Sequence, residues 1–188
     1  MFKKSALELK NVRCLAITGV LIAAYIVLKA YATVDFGPTL RIHLGYVALA
    51  TIGMLFGPVV AMLAAIPCDL LSALLRGGGG GILWGLTLVY VFQGLVYGVM
   101  LYGFDLGKSV WKSVKLILAQ VIVIFISQMV MITFVLYSYG FIGGDADTVR
   151  TLVAARVVKN VIEFPLSLAI LYAVLVPIKM AYKRAVKS

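Results

Sequence analysis

Arg156, Lys159, Asn160 and Glu163 stand inside the last long apolar segment of the chain, where a lipid-facing helix would carry only Leu, Val and Ile. Lys159, Asn160 and Glu163 follow Arg156 by 3, 4 and 7 positions, so on a helix all four share one face. A charge at mid-bilayer costs about 2.5–3.5 kcal/mol on insertion scales, which turns such a face toward a helix bundle or a watery cavity. Two chemistries suit it. Lys159 and Glu163 can form an internal ion pair that joins helices, or the face can line a polar pocket for a ligand carrying negative charge. The second is favoured, because a single Glu does not neutralise both Arg156 and Lys159.

The other intramembrane polar groups are fewer. Asp69 sits in the third apolar segment and is either functional or a structural partner of a neighbouring helix or of Arg76. Gln93 and Tyr97 are four apart and face one way, offering hydrogen bonds and a ring either to a pocket or to a neighbouring helix. Gln120 and Gln128 interrupt the fifth segment. His43 is the single histidine and lacks partners at ligand spacing, which fits an interface histidine and no metal site. Cys14 and Cys68 lie in or beside apolar segments without CxxC spacing and read as buried thiols. No Walker A, HExxH or GxSxG motif occurs, so the chain is not expected to be an enzyme or to hold a cofactor.

The elements that position these residues follow from composition. Of 188 residues 63% are hydrophobic and 13% charged, with a mean hydropathy of +1.09, which is the signature of an integral membrane protein. The expected architecture is all-α: one membrane domain over 1–188 with six transmembrane helices near 12–32, 41–56, 58–75, 82–104, 110–139 and 151–182. The +10 net charge is not that of a nucleic-acid binder. Lys3, Lys4, Lys10 and Arg13 precede the first span, Lys108, Lys112 and Lys115 separate the fourth from the fifth, and Lys179, Lys183, Arg184 and Lys187 close the chain. These short clusters place both termini in the cytoplasm, against anionic lipid. Lys29, Arg41, Arg76 and Arg150 then fall outside, and the Arg156/Lys159 face lies one to two turns below the outer end of helix six, with Pro165 as a kink.

Three glycine-containing loops share that outer side. The turn-rich stretch 33–40 carries Phe36, either a lid residue or an interface anchor. The run Gly77–Gly81, with Gly78 in it, forms a hinge or lets backbone approach a ligand, unless it is simply a flexible loop. The third loop spans 140–148. Trp84, at the outer end of helix four, belongs either to the interfacial belt or to a stacking site. The layout predicts a pocket open to the outer face with loops as lids. On the first helix, Gly19 and Ala23 form a small-xxx-small pair that lets another helix approach closely, within the chain or on a separate subunit.

Several stretches resemble one family. Gly19/Ala23 looks like an AxxxA-type docking motif, Arg41–Ile42 through Phe56-Gly57-Pro58 like the family's second helix and Phe-Gly-Pro turn, and Cys68–Leu75 like the end of its third helix. Gly85–Leu88 through Gly94–Gly98 is similar to its fourth helix, and Arg156-Val157-Val158-Lys159-Asn160 with Phe164-Pro165 to its sixth-helix ligand motif. The chain thus resembles the substrate-binding S components of energy-coupling-factor (ECF) vitamin transporters, most closely the folate-specific group, over nearly its whole length. The glycine run Gly77–Gly81 departs from the varied loop of that family.

The resemblance implies a high-affinity receptor in the bacterial plasma membrane that captures folate outside. It would work with a transmembrane coupling subunit and two ATPase subunits, which supply the ATP hydrolysis. Arg156 and Lys159 suit the carboxylates of a folate, Asn160 suits a pterin edge, and Trp84, Tyr97 or Phe36 suit its flat rings. An S component for another small anion such as pantothenate, or a structural membrane subunit, remains the alternative.

Overall fold

The computed structural model describes residues 2–35, 41–75, 84–103, 110–140 and 146–187. Phe36 and the Gly77–Gly81 run, Gly78 included, lie outside the described residues, as does Arg76. A short helix, α1 (Phe2–Glu8), leads into α2 (Val12–Tyr31), and a small antiparallel hairpin, β1 (Thr33–Asp35) and β2 (Arg41–His43), follows. Next come α3 (Tyr46–Phe56), α4 (Pro58–Leu75), α5 (Trp84–Leu101) and α6 (Val110–Ile122). A π-helical segment, Val123–Met131, joins α6 to α7 (Ile132–Ser138), and α8 (Ala146–Lys187) closes the chain.

Among the described residues five helices are long and apolar enough to cross a membrane: Val12–Tyr31, Pro58–Leu75, Trp84–Leu101, Val114–Ser138 and Arg150–Tyr182. The protein is therefore a multi-pass, essentially all-helical membrane protein. The helix expected over 41–56 begins later, at Tyr46. Residues Arg41–His43 are a strand, Leu44 and Gly45 form a turn, and α3 keeps 11 residues, about 16 Å at 1.5 Å per residue. That is roughly half the hydrocarbon thickness. The cause is the hairpin: Arg41, Ile42 and His43 pair with Asp35, Val34 and Thr33, so the chain enters α3 late. The stretch 33–35, expected as part of a turn-rich loop, is the other strand.

Ten of the eleven α3 residues are buried, since α2, α4, α5 and α8 all pack around it. Glycines allow the approach. A Cβ on Gly53 would stand 2.8 Å from the Gly98 nitrogen, one on Gly94 2.7 Å from the Ala61 carbonyl oxygen, and one on Gly98 would run into the Pro58 backbone. The α3–α4 turn is fixed by Gly57, whose φ of +88° few other residues adopt. Ser5 of α1 reaches over it. The Ser5 hydroxyl donates to the Phe56 carbonyl at 2.7 Å and accepts from the Val59 and Val60 N–H groups. One side chain thus serves the C-terminus of α3 and the N-terminus of α4, both of which lack their own helical partners.

The buried positions of α8 form one stripe: Arg156, Asn160, Glu163, Ser167, Leu171 and Leu175. Its first half is polar and its second half apolar. α8 runs through both Pro165 and Pro177, which lack the N–H groups that the carbonyls of Val161 and Ala173 would otherwise use.

Candidate functional site

The polar half of the α8 stripe faces the π-helical segment and α7. Arg156 is 4% exposed, and its Nη1 donates to Thr133 Oγ1 at 3.0 Å. Its Nε has no acceptor, and among the described residues no carboxylate pairs with it. Lys159 Nζ stands 3.1 Å from Glu163 Oε2 and donates to Gln128 Oε1 at 3.4 Å. Gln128 Nε2 reaches Glu163 Oε1 at a long 3.5 Å, so one amide touches both members of the ion pair. Asn160 is buried with its Nδ2 unbonded, and so is the Ser127 hydroxyl.

The ion-pair reading of the sequence is the one seen directly. The Lys159–Glu163 pair forms, and among the described residues Arg156 is a buried cation without a counter-charge. Unbonded buried polar groups are rare in native proteins and mark places where a partner is missing. Here the Arg156 Nε and the Asn160 Nδ2 lie on α8 and the Ser127 hydroxyl on the π-helical segment that packs against it.

Gln128, Thr133 and Ser127 are functional candidates that the sequence reading did not assign to the site. They are presented by the π-helical stretch and the first turn of α7, and π-helical insertions occur frequently at functional sites. Gln128 and Thr133 are five residues apart, so on an α-helix they would face apart. With i→i+5 bonding both meet α8, at Lys159 and Arg156.

Below Glu163 the stripe continues into a bonded chain. Tyr97 donates to Gln120 Oε1 at 2.9 Å, Gln120 Nε2 donates to Ser167 Oγ at 2.8 Å, and Ser167 donates to the Phe164 carbonyl at 2.9 Å. Tyr97 is fully buried among Tyr46, Val47 and Leu101, so it is part of the floor rather than a ring lying open to a pocket. Gln93 is buried one turn before it on α5. Trp84, at the start of α5, is 63% exposed and is not drawn into the cluster. Gly19 and Ala23 lie on the outward face of α2 with Val12, Leu15, Ala16, Val20 and Val27, and a Cβ on Gly19 would meet open space.

A second polar cluster was only half visible in the sequence. Asp69 does bond to neighbouring helices, but its partners are Lys29 of α2, 3.2 Å away, and Thr87 of α5, whose hydroxyl donates to Oδ2 at 2.8 Å. Lys29, expected outside, is 4% exposed and lies over the Tyr90 ring at 4.3 Å and near that of Tyr25 at 5.3 Å. His43 stands against both tyrosines. Two concavities lie elsewhere. An apolar groove of about 320 Å³ runs past Ile17, Leu21, Leu55, Ile178 and Tyr182, and a recess of about 190 Å³ lies between Ile26, Ala30, Ser72 and Leu75. Neither reaches the polar stripe of α8.

Residues 9–184 match a family model described as "ECF-type riboflavin transporter, S component". A relative named Folate transporter FolT, from Clostridium novyi (strain NT), is 29% identical over 164 residues, 87% of this chain and 88% of its own. Among solved structures, a crystal structure of FolT bound with folic acid superposes with a TM-score of 0.74 at 25% identity, covering 86% of this chain and 92% of that one.

Proposed function

This chain belongs to the S-component family of ECF-type transporters, and we propose that it is the folate-binding member of an importer. Arg156 carries the reading. A buried guanidinium without a counter-charge is costly, and the side chain is suited to bidentate recognition of carboxylates. A folate, with two carboxylates on its glutamate tail, meets that need. Lys159 and Asn160 add a second cation and a free amide beside it. Riboflavin, which the family description names, carries no charge at neutral pH and leaves Arg156 uncompensated, so the electrostatics favour the folate. Gln93, with Phe36 and Gly78 from the outer loops, completes the proposed surroundings of the ligand, Tyr97 forming their floor through Gln120 and Trp84 staying outside them.

Both chain ends face the cytoplasm in this reading. Eleven of the seventeen Lys and Arg residues fall on that side against four on the other, in keeping with the positive-inside rule. The short α3 and the five longer helices then make up a six-helix bundle whose α8 site opens to the outer face of the bacterial plasma membrane. The chain binds its vitamin from outside, without chemistry of its own. The outward small-residue face of α2, with Gly19 and Ala23, docks on a transmembrane coupling subunit, and two ATPase subunits drive uptake.

Calorimetric titration of the purified chain in detergent tests this, with folate, riboflavin and pantothenate in parallel. Stoichiometric, saturable binding of folate with at most weak binding of the other two is expected. Saturation by riboflavin or pantothenate with no heat from folate overturns the ligand assignment.

A further inference from the structure

Glu163 is a poorly satisfied buried acceptor. It is 2% exposed, and an ionised carboxylate offers about four lone-pair sites. Lys159 lies 3.1 Å from Oε2 without an aligned hydrogen bond, and Gln128 meets Oε1 only at 3.5 Å. One charge contact and one stretched amide contact leave most of its capacity open, at a depth where unmet acceptors carry a desolvation cost. The neighbouring Tyr97–Gln120–Ser167 chain is closed on itself and does not supply the missing donors.

Its position matters as much. Glu163 lies on the same buried stripe as Arg156, seven residues further along α8, a rise of about 10 Å. A ligand whose carboxylate end is held at Arg156 extends its other end toward Glu163. Asn160 lies between them. The stripe therefore presents a cation, an amide and a carboxylate in that order, which is a polarity for an elongated molecule with an anionic tail and a hydrogen-bond-donating head.

We propose that Glu163 determines specificity by reading the ring edge of the ligand, accepting from a heterocycle that presents two adjacent N–H donors. The 2-amino group and N3–H of a pterin form such an edge, and it meets the two carboxylate oxygens as donors to acceptors. The imide edge of a flavin presents acceptor, donor, acceptor, which sets carbonyl oxygens against the carboxylate. Discrimination of this kind works by rejection as well as attraction, and a site built to bond a donor excludes analogues that lack it. The proposal rests on the reading of this chain as a folate receptor and names the group that separates a pterin from a flavin within one family.

The test compares folate with an analogue lacking the 2-amino group, by calorimetry, in the full chain and in Glu163→Gln and Glu163→Asp. In the unaltered chain the analogue binds about 10–100-fold more weakly, as expected for a lost bond to a charged acceptor. In Glu163→Gln folate weakens by a similar factor, the analogue weakens less, and the ratio contracts toward one. Glu163→Asp keeps the carboxylate and retains part of the ratio.

A ratio near one in the unaltered chain overturns the proposal without any variant being needed, so a poorly folding Gln variant does not shield it. Equal losses for both ligands in Glu163→Gln also overturn it, since that is the behaviour of a residue that only holds Lys159. If the unaltered chain binds riboflavin and not folate, the functional reading falls and this proposal with it. Folate binding with no discrimination at the 2-amino group removes the role of Glu163 alone.

Discussion

Lys29 and Asp69 form a buried ion pair between α2 and α4, with Nζ 3.2 Å from Oδ1. Thr87 donates to the second carboxylate oxygen, and the Tyr90 ring lies beneath the ammonium. Removing one partner from a buried pair leaves an uncompensated charge and costs about 3–5 kcal/mol, whereas replacing both with apolar groups is often neutral. Lys29→Met is therefore expected to lower the thermal unfolding temperature in detergent, and Lys29→Met with Asp69→Leu to recover most of the loss. A double variant as unstable as the single one would mean that the pair does more than join helices.

The contacts of α5 with α3 and α4 are backbone against backbone at Gly94 and Gly98. No side-chain rotation relieves a methyl added there. Gly98→Ala is expected to abolish or sharply reduce the yield of monodisperse protein, and Gly94→Ala to do so less severely. Overpacking of a close-packed interior commonly costs about 1–3 kcal/mol or more. Size-exclusion profiles after extraction read this directly, and a normal profile for Gly98→Ala would contradict the packing.

Gly19 offers the opposite case, because a Cβ there meets open space. Gly19→Leu is expected to leave thermal stability and ligand affinity unchanged while reducing co-purification with a coupling subunit and its ATPases. A small residue is required on that face only if another helix closes on it. Undiminished co-purification would remove Gly19 and Ala23 from the docking surface.

The polar face of α8 was legible because charges in an apolar run have few physical explanations, and the 3.6-residue period aligns Arg156, Asn160 and Glu163 without help from the rest of the chain. Gln128 and Thr133 were not, since their alignment depends on a π-helical stretch that no local pattern announces. The shortness of α3 was hidden for a related reason. Arg41–His43 pair with Thr33–Asp35, and such a non-local pairing overrides the apolar continuity of 42–56. Lys29 reads as an interfacial lysine at a helix end, and only the approach of Asp69, Tyr25 and Tyr90 from other segments makes it a buried one.

Arg156 and Lys159 differ in a way that separates binding from folding. Lys159 neutralises Glu163, while Arg156 has Thr133 for a partner and, among the described residues, no carboxylate. Lys159→Gln leaves a buried carboxylate uncompensated and is expected to destabilise the ligand-free protein by a few kcal/mol. Arg156→Gln removes a buried charge that nothing balances, so the ligand-free protein should be as stable as before or more so, while folate affinity falls at least about 10-fold, the worth of a charge-assisted bond. The double variant loses binding more strongly still and keeps its carboxylate problem. Unfolding temperatures measured with and without folate check both halves. A destabilised Arg156→Gln protein, or one that still gains stability from folate, would make Arg156 a structural residue and move the anion site elsewhere.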